Sequence, residues 1–340
     1  AGWTLDAGRR SVRVLMQAIV YERYGPPEVL RCADVPKPVP GDDELLVRVR
    51  ATAVTRLDCA TRDANRRSGP ATSALSRLVS GVRAPRQPIL GSEFAGEVEA
   101  VGAAVTRFKP GDRVFGSTGI GFGGYAEYLT IRATARVVPI PDGLGFVEAA
   151  ALPDGGLNAL WCLRHAEGRE RGSVLVYGAS GSIGSAGVQL AKWLGATVTA
   201  VCSTRNLDLV RSLGADSVID YTREDFTQNR ARYDVIFDAV GKLSFTRCRP
   251  SLAGRGFYLA TDGFQNLAFD PVSRLAGGRR AVFSIPPRYT REDVELLSEL
   301  AASGHLRPVV DRVYPFDQIV DAARYVETER KVGNVILELP

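Results

Sequence analysis

The chain has 340 residues, 45% of them hydrophobic and 24% charged, with a formal net charge of +5. That length exceeds the size at which one core stops growing, so two domains are expected; no apolar run approaches the ~18 residues of a membrane span, and no low-complexity tract or repeat occurs. The five cysteines, Cys32, Cys59, Cys162, Cys202 and Cys248, are odd in number, scattered and without C-x-x-C spacing, which argues against a disulfide framework or a thiolate metal site and fits a reducing, cytoplasmic setting.

Residues 1–15, "AGWTLDAGRRSVRVL", lack the apolar centre of a secretory signal and make a poor transit peptide; a disordered extension is expected there. A strand pattern starts at the only methionine, Met16. From 17 to 140 short strands are punctuated by Pro and Gly. "ELLVRVRATAV" (44–54) and "ILGSEFAGEVEAVG" (89–102) alternate, and "FKPGDRVFG" (108–116) turns into another strand. This reads as a small all-β body, a partly open barrel. Within it the segment 61–88 carries Arg62, Arg66, Arg67, Arg77, Arg83 and Arg86 against one acid, Asp63, a surplus equal to the net charge of the whole chain. It reads either as a solvated loop or as a lid that draws in an anionic acceptor such as an acyl-CoA or approaches an acidic surface. Without an interleaved aromatic to stack on bases, it does not favour DNA or RNA as a partner.

The run Val174–Val176 enters the turn "GASGSIG", after which apolar positions recur at Ile183, Ala186, Gly187, Leu190, Ala191 and Leu194 before a β-branched run, Thr197–Val201. That is strand, tight turn, helix, strand. Glycines at Gly178, Gly181 and Gly184 let a diphosphate approach the backbone and rest on the N–H groups that open the helix, with Ser180, Ser182 and Ile183 completing the cradle. Further runs at Ser217–Ile219, Val235–Phe237, Gly256–Ala260 and Ala281–Ile285 make six strands in two sets of three, the doubly wound Rossmann form of the α/β class. Where NAD enzymes place an acid at the end of the second strand stands Ser203, and no carboxylate follows before Asp208. A hydroxyl there and the guanidinium of Arg205 select the 2′-phosphate of NADP(H) through charge-assisted hydrogen bonds. The last segment, 305–339, holds an amphipathic helix near 317–328 and a closing strand, Val335–Leu339.

Taken in order, "GSEFAGEVEAVG", "FKPGDRVFG", "GGYAEYL", "AAALPDGGLNALWCL", "GASGSIG", "AVCSTRN", "GADSVIDY" and "LRPVVDRVYPFDQIVDAARYVE" resemble the medium-chain dehydrogenase/reductase superfamily, in its zinc-free NADPH:quinone oxidoreductase branch; the terminal segment is most similar to the reticulon-4-interacting-protein group. The resemblance spans nearly the whole chain from Met16. It implies a GroES-like catalytic domain built from 16–144 and 286–340, an NADP-binding Rossmann domain of 145–285, an active site in the cleft between them, and a homodimer formed through the nucleotide domains.

Zinc-dependent members carry Gly-His-Glu where this chain reads Gly91-Ser92-Glu93, and four clustered cysteines that are absent here. The only histidines, His165 and His305, stand elsewhere, and Cys59 with Asp58 and Glu93 makes a marginal ligand set, so no metal is expected. Without a Lewis acid, hydride is expected to pass to an acceptor that is already electrophilic. The family's V-N-P-x-D motif reads Val54-Thr55-Arg56-Leu57-Asp58. The resemblance implies that Thr55 positions nicotinamide or acceptor, that Asp58 makes a structural hydrogen bond, and that Arg56, in place of proline, alters the loop. Tyr125 reads as a carbonyl donor in the cleft or as a packing residue. Tyr221 matches a tyrosine beside the adenosine phosphate, and Val240-Gly241 the stretch passing the nicotinamide ribose. Lys242 replaces the usual second glycine, and Gly333-Asn334 the closing Gly-Lys pair. The expected function is NADPH-dependent reduction of a quinone; reduction of an enone, alkenal or enoyl thioester, or NADPH binding without turnover, are the alternatives.

Overall fold

The computed structural model describes residues 14–166, 168–262, 269–283 and 287–340. All but the last two residues of the expected extension, and the boundary at 285/286, lie outside the described residues. Along the chain come β1 (Leu15–Val20), β2 (Arg31–Pro36), β3 (Glu44–Ala53), α1 (Arg56–Arg62), α2 (Pro70–Ser80), β4 (Glu93–Val101), β5 (Arg113–Ser117), β6 (Tyr128–Arg132) and β7 (Val137–Pro139). Then follow α3 (Phe146–Ala150), α4 (Leu152–Arg164), β8 (Ser173–Tyr177), α5 (Ser182–Trp193), β9 (Thr197–Cys202), α6 (Leu207–Ser212), β10 (Ser217–Asp220), β11 (Tyr233–Asp238), α7 (Phe245–Cys248), β12 (Leu252–Ala260), α8 (Phe269–Ala276) and β13 (Arg280–Phe283). The tail supplies α9 (Arg291–Ala302), β14 (Val310–Pro315), α10 (Ile319–Glu327) and β15 (Asn334–Glu338).

The six strands β10-β9-β8-β11-β12-β13 pair in that order, all parallel, so the chain starts mid-sheet at β8 and reverses direction between β8 and β11. That switch point opens the crevice in which a doubly wound fold binds its ligand. A second sheet runs β14-β15-β3-β4-β5-β7, with β6 also on β3. Its β15 lies antiparallel on β3, Ile336 opposite Ala53, so the far end of the chain closes the N-terminal sheet. One core runs from Val176 and Phe237 through Leu157, Leu160 and Leu297 to Ala53 and Phe115, linking the two sheets by way of α4 and α9. Each large side chain so buried contributes about 1.5–3 kcal/mol.

Two expectations change. The N-terminal body is not all β, because α1 and α2 lie inside it. The segment 61–88, read as a loop or lid, contains the eleven-residue α2, which starts at Pro70 directly after Gly69. Proline at a first helical position and apolar residues at Leu75, Leu78 and Val79 are helix signals, but Ser, Thr, Gly and Arg around them mask the pattern.

Candidate active site

The turn between β8 and α5 uses each glycine differently. Gly178 has φ +76°, and a Cβ there would stand 2.6 Å from Val240 Cγ1. A Cβ at Gly184 would stand 2.1 Å from the Gly178 carbonyl oxygen, so its absence lets α5 pack on the turn. At Gly181, the N-cap of α5, the nearest atom would be 3.5 Å away, and no side chain caps the helix. The open face at Gly181 and the uncapped N–H groups of Ser182, Ile183 and Gly184 form a cradle that suits a diphosphate.

Neighbouring elements complete it. Gly333 N donates to Ser180 O at 2.8 Å, bringing the terminal segment onto the turn. Ser182 Oγ lies 2.8 Å from Asp154 Oδ2 and 2.7 Å from Asn334 Oδ1, so the Ser182 and Asn334 side chains are engaged with protein groups and each other. Asn206 Nδ2 donates to Ser180 Oγ at 2.8 Å and Ser203 Oγ at 3.3 Å, holding both hydroxyls at the end of β9. Arg205 donates to Arg330 O at 2.8 Å, and Tyr221 is 54% exposed with its ring 6.4 Å from that of Tyr177. Buried Asp238 accepts from the N–H groups of Val240, Gly241 and Leu243 and from the Tyr258 hydroxyl, which fixes the loop that carries Val240. Thus Gly178, Ser180–Gly184, Ser203, Val240 and Asn334 surround one turn, with Arg205 and Tyr221 flanking it. Sequence reading missed Asn206, Asp154 and Asp238, whose only signal was a polar residue at the end of an element.

Thr55 caps α1. Its Oγ donates to Asp58 Oδ2 at 2.7 Å and accepts from Asp58 N, while Asp58 Oδ1 accepts from Gly91 N at 3.0 Å. Burial pushes the Asp58 carboxyl up to about 6 against the pull of these hydrogen bonds. The Tyr125 hydroxyl is buried beside Asp58 without a hydrogen bond of ordinary geometry; its ring packs among Tyr21, Val54, Cys59 and Leu90, and burial drives its pKa well up. Tyr125, 1% exposed, therefore sits in the packing position that the sequence reading set beside the donor role. Between the two sheets, Arg56 Nη1 meets Glu329 Oε1 at 2.6 Å and Lys242 Nζ meets Glu329 Oε2 at 2.9 Å. Two of the departures from the family pattern, Arg56 and Lys242, thus share one carboxylate. Lys331, also missed, donates to Gly333 O at 2.6 Å; burial lowers its pKa, opposed by Asp154 and Asp311.

The donor set does not suit zinc. Ser92 stands in place of an imidazole, burial pushes the Cys59 thiol up to about 12, and Glu93 is buried with its carboxyl raised well above the usual range by burial and by Asp154. Among the described residues no three His, Cys, Asp or Glu side chains converge.

Residues 41–142 match the alcohol dehydrogenase GroES-like domain and 213–337 the zinc-binding dehydrogenase family. The chain is 32% identical to the NADPH-dependent alkenal/one oxidoreductase of Arabidopsis thaliana, over 98% of this chain and 81% of that protein. It belongs to the medium-chain dehydrogenase/reductase superfamily. Within that superfamily it falls in the zinc-free quinone oxidoreductase branch: it is 29% identical to the chloroplast envelope quinone oxidoreductase homolog of the same plant, covering 95% of this chain and 98% of the relative. The solved quinone oxidoreductase of Coxiella burnetii superposes with a TM-score of 0.82 at 28% identity, covering 96% of this chain and all of that one. This medium-chain reductase is therefore a nicotinamide-dependent oxidoreductase.

Proposed function

We propose that this reductase uses NADPH to reduce a quinone without a metal. The carrying observation is the open, uncapped Gly178–Gly184 turn with Ser180, Ser203 and Asn206 hydrogen-bonded beside it. When bound, the reduced nicotinamide supplies a hydride to an acceptor that is already electrophilic. The chain's own residues hold and orient. The α5 N–H groups take the diphosphate, Ser203 and Arg205 the 2′-phosphate, Tyr221 the adenosine side, and Val240 the wall near the ribose. Thr55 and Tyr125, both buried, shape the catalytic wall rather than donate to the acceptor. Domains of 16–144 with 286–340 and of 145–285 are the working division. A homodimer through the nucleotide domains and a cytoplasmic location, in keeping with five free cysteines, complete the proposal.

Enone, alkenal or enoyl-thioester reduction is the second reading, favoured by the relative named as an alkenal/one oxidoreductase. Turnover of NADPH and NADH against quinones, enones and an enoyl-CoA ranks the two. Arg205→Ala is expected to weaken NADPH by about 10- to 100-fold and NADH little, the loss of one charge-assisted hydrogen bond; equal losses would remove the arginine from the phosphate. Sedimentation velocity tests the dimer.

A further inference from the structure

We propose that α2 and the residues just after it dock on the surface of an anionic lipid bilayer. The helix is inverted relative to an ordinary surface helix. Thr72, Ser73, Ser76, Arg77 and Ser80 form its half-buried side, while Ala71, Ala74, Leu75, Leu78 and Val79 face solvent. Leu75, Leu78, Val79 and, just past the helix end, Val82 are 63%, 65%, 67% and 61% exposed. Single exposed leucines need no explanation, but a contiguous stripe of large aliphatics on one face does.

The inward contacts are polar, so the helix is not merely rolled out of place. Asn65 Nδ2 donates to Ser76 Oγ at 3.1 Å, the Tyr24 hydroxyl donates to Gly81 O at 2.8 Å, and the Arg77 guanidinium lies 5.3 Å from the Tyr24 ring centre. Turning the aliphatic side inward would break all three.

Charge decides the occupant. Arg66 precedes the helix, Arg83 and Arg86 follow it, and none of the three has an acidic partner among the described residues, whereas Arg62 and Arg67 share Glu327. Aliphatic side chains flanked by unneutralised cations fit the boundary between acyl chains and negative headgroups. A second copy of the same face would oppose cation to cation. The assignment holds whichever acceptor the enzyme reduces.

The test is co-sedimentation of the full chain with vesicles of phosphatidylcholine alone and of phosphatidylcholine with phosphatidylglycerol. Binding is expected only to the anionic vesicles, weakening as salt rises. R83S/R86S should lower that binding about 30-fold, from about 1 kcal/mol per basic residue near the surface. L75S/L78S/V79S should abolish it while the thermal midpoint falls only slightly, because those side chains are already mostly exposed. No binding, equal binding to both vesicle types, or full binding by the triple variant would overturn the proposal. So would conversion of an oligomer to a smaller species by the triple variant, which would make the face a contact between copies.

Discussion

Gly181 and Gly184 sit in one turn for different reasons, and substitution separates them. A Cβ at Gly184 would press on the Gly178 carbonyl at 2.1 Å, whereas one at Gly181 would meet nothing closer than 3.5 Å. Gly184→Ala is expected to lower the unfolding free energy by about 2 kcal/mol or more, the cost of overpacking. Gly181→Ala should leave the thermal midpoint nearly unchanged and weaken NADPH by about tenfold, about 1.4 kcal/mol, because its methyl fills the open face proposed for the diphosphate. Fluorescence titration beside thermal unfolding distinguishes the two.

Asp58 makes its contribution through pH. Its folded carboxyl titrates at about 6, above the ordinary 3.8, because burial outweighs the hydrogen bonds from Thr55 and Gly91. The folded state thus takes up a proton before the unfolded chain does, and the resulting stabilisation is complete below the unfolded value and lost as pH rises through about 6. Asp58→Asn removes this loss: across the interval its urea-derived stability should flatten relative to wild type by up to about 3 kcal/mol, on top of a constant cost for the lost acceptor. A parallel pair of curves would mean that Asp58 does not titrate there.

At the scale of elements, α1 is fastened to α10 by a buried charge pair. Arg62, 1% exposed, pairs with Glu327, which Arg67 also meets at 2.6 Å from the solvent side. Glu327→Gln leaves the buried guanidinium uncompensated and should cost about 3 kcal/mol or more, while Arg67→Ala, at a position 60% exposed, should cost about 1 kcal/mol or less. Denaturant midpoints at constant slope report both. The alternation of β3 and β4, the strand-turn-helix at β8–α5 and the amphipathic α10 were legible because each carries a period of its own. The last begins as a 3-10 turn at Phe316–Gln318, so α10 starts at Ile319 rather than 317. The inverted α2 was not legible, since period alone does not say which side of a helix meets water.

Across the molecule, the two sheets meet through Gly333 on Ser180 and through Glu329, which holds Arg56 and Lys242. Exposed pairs of this kind each contribute about 1 kcal/mol or less to folding, so Glu329→Gln should barely move the thermal midpoint. It should instead speed NADPH release several-fold in stopped-flow, because it removes the carboxylate that ties Lys242 to Arg56 and leaves Arg56 only Asp262, at 3.9 Å; an unchanged rate would mean that the junction does not limit release.

The sequence by itself determined the glycine turn, the six-strand nucleotide sheet and the return of the last strand to the N-terminal body, because these follow from local spacing and from ordered motifs. It also pointed to Ser203 and Arg205 as candidates, from their types and their distance from the turn. Only the tertiary structure decided that Tyr125 is packed away, that Asn206 ties the two serines, that Glu329 joins Arg56 to Lys242, and that the leucines of α2 face outward. Those outcomes depend on which side chains from distant segments meet, and burial and pairing across space leave no period in the chain.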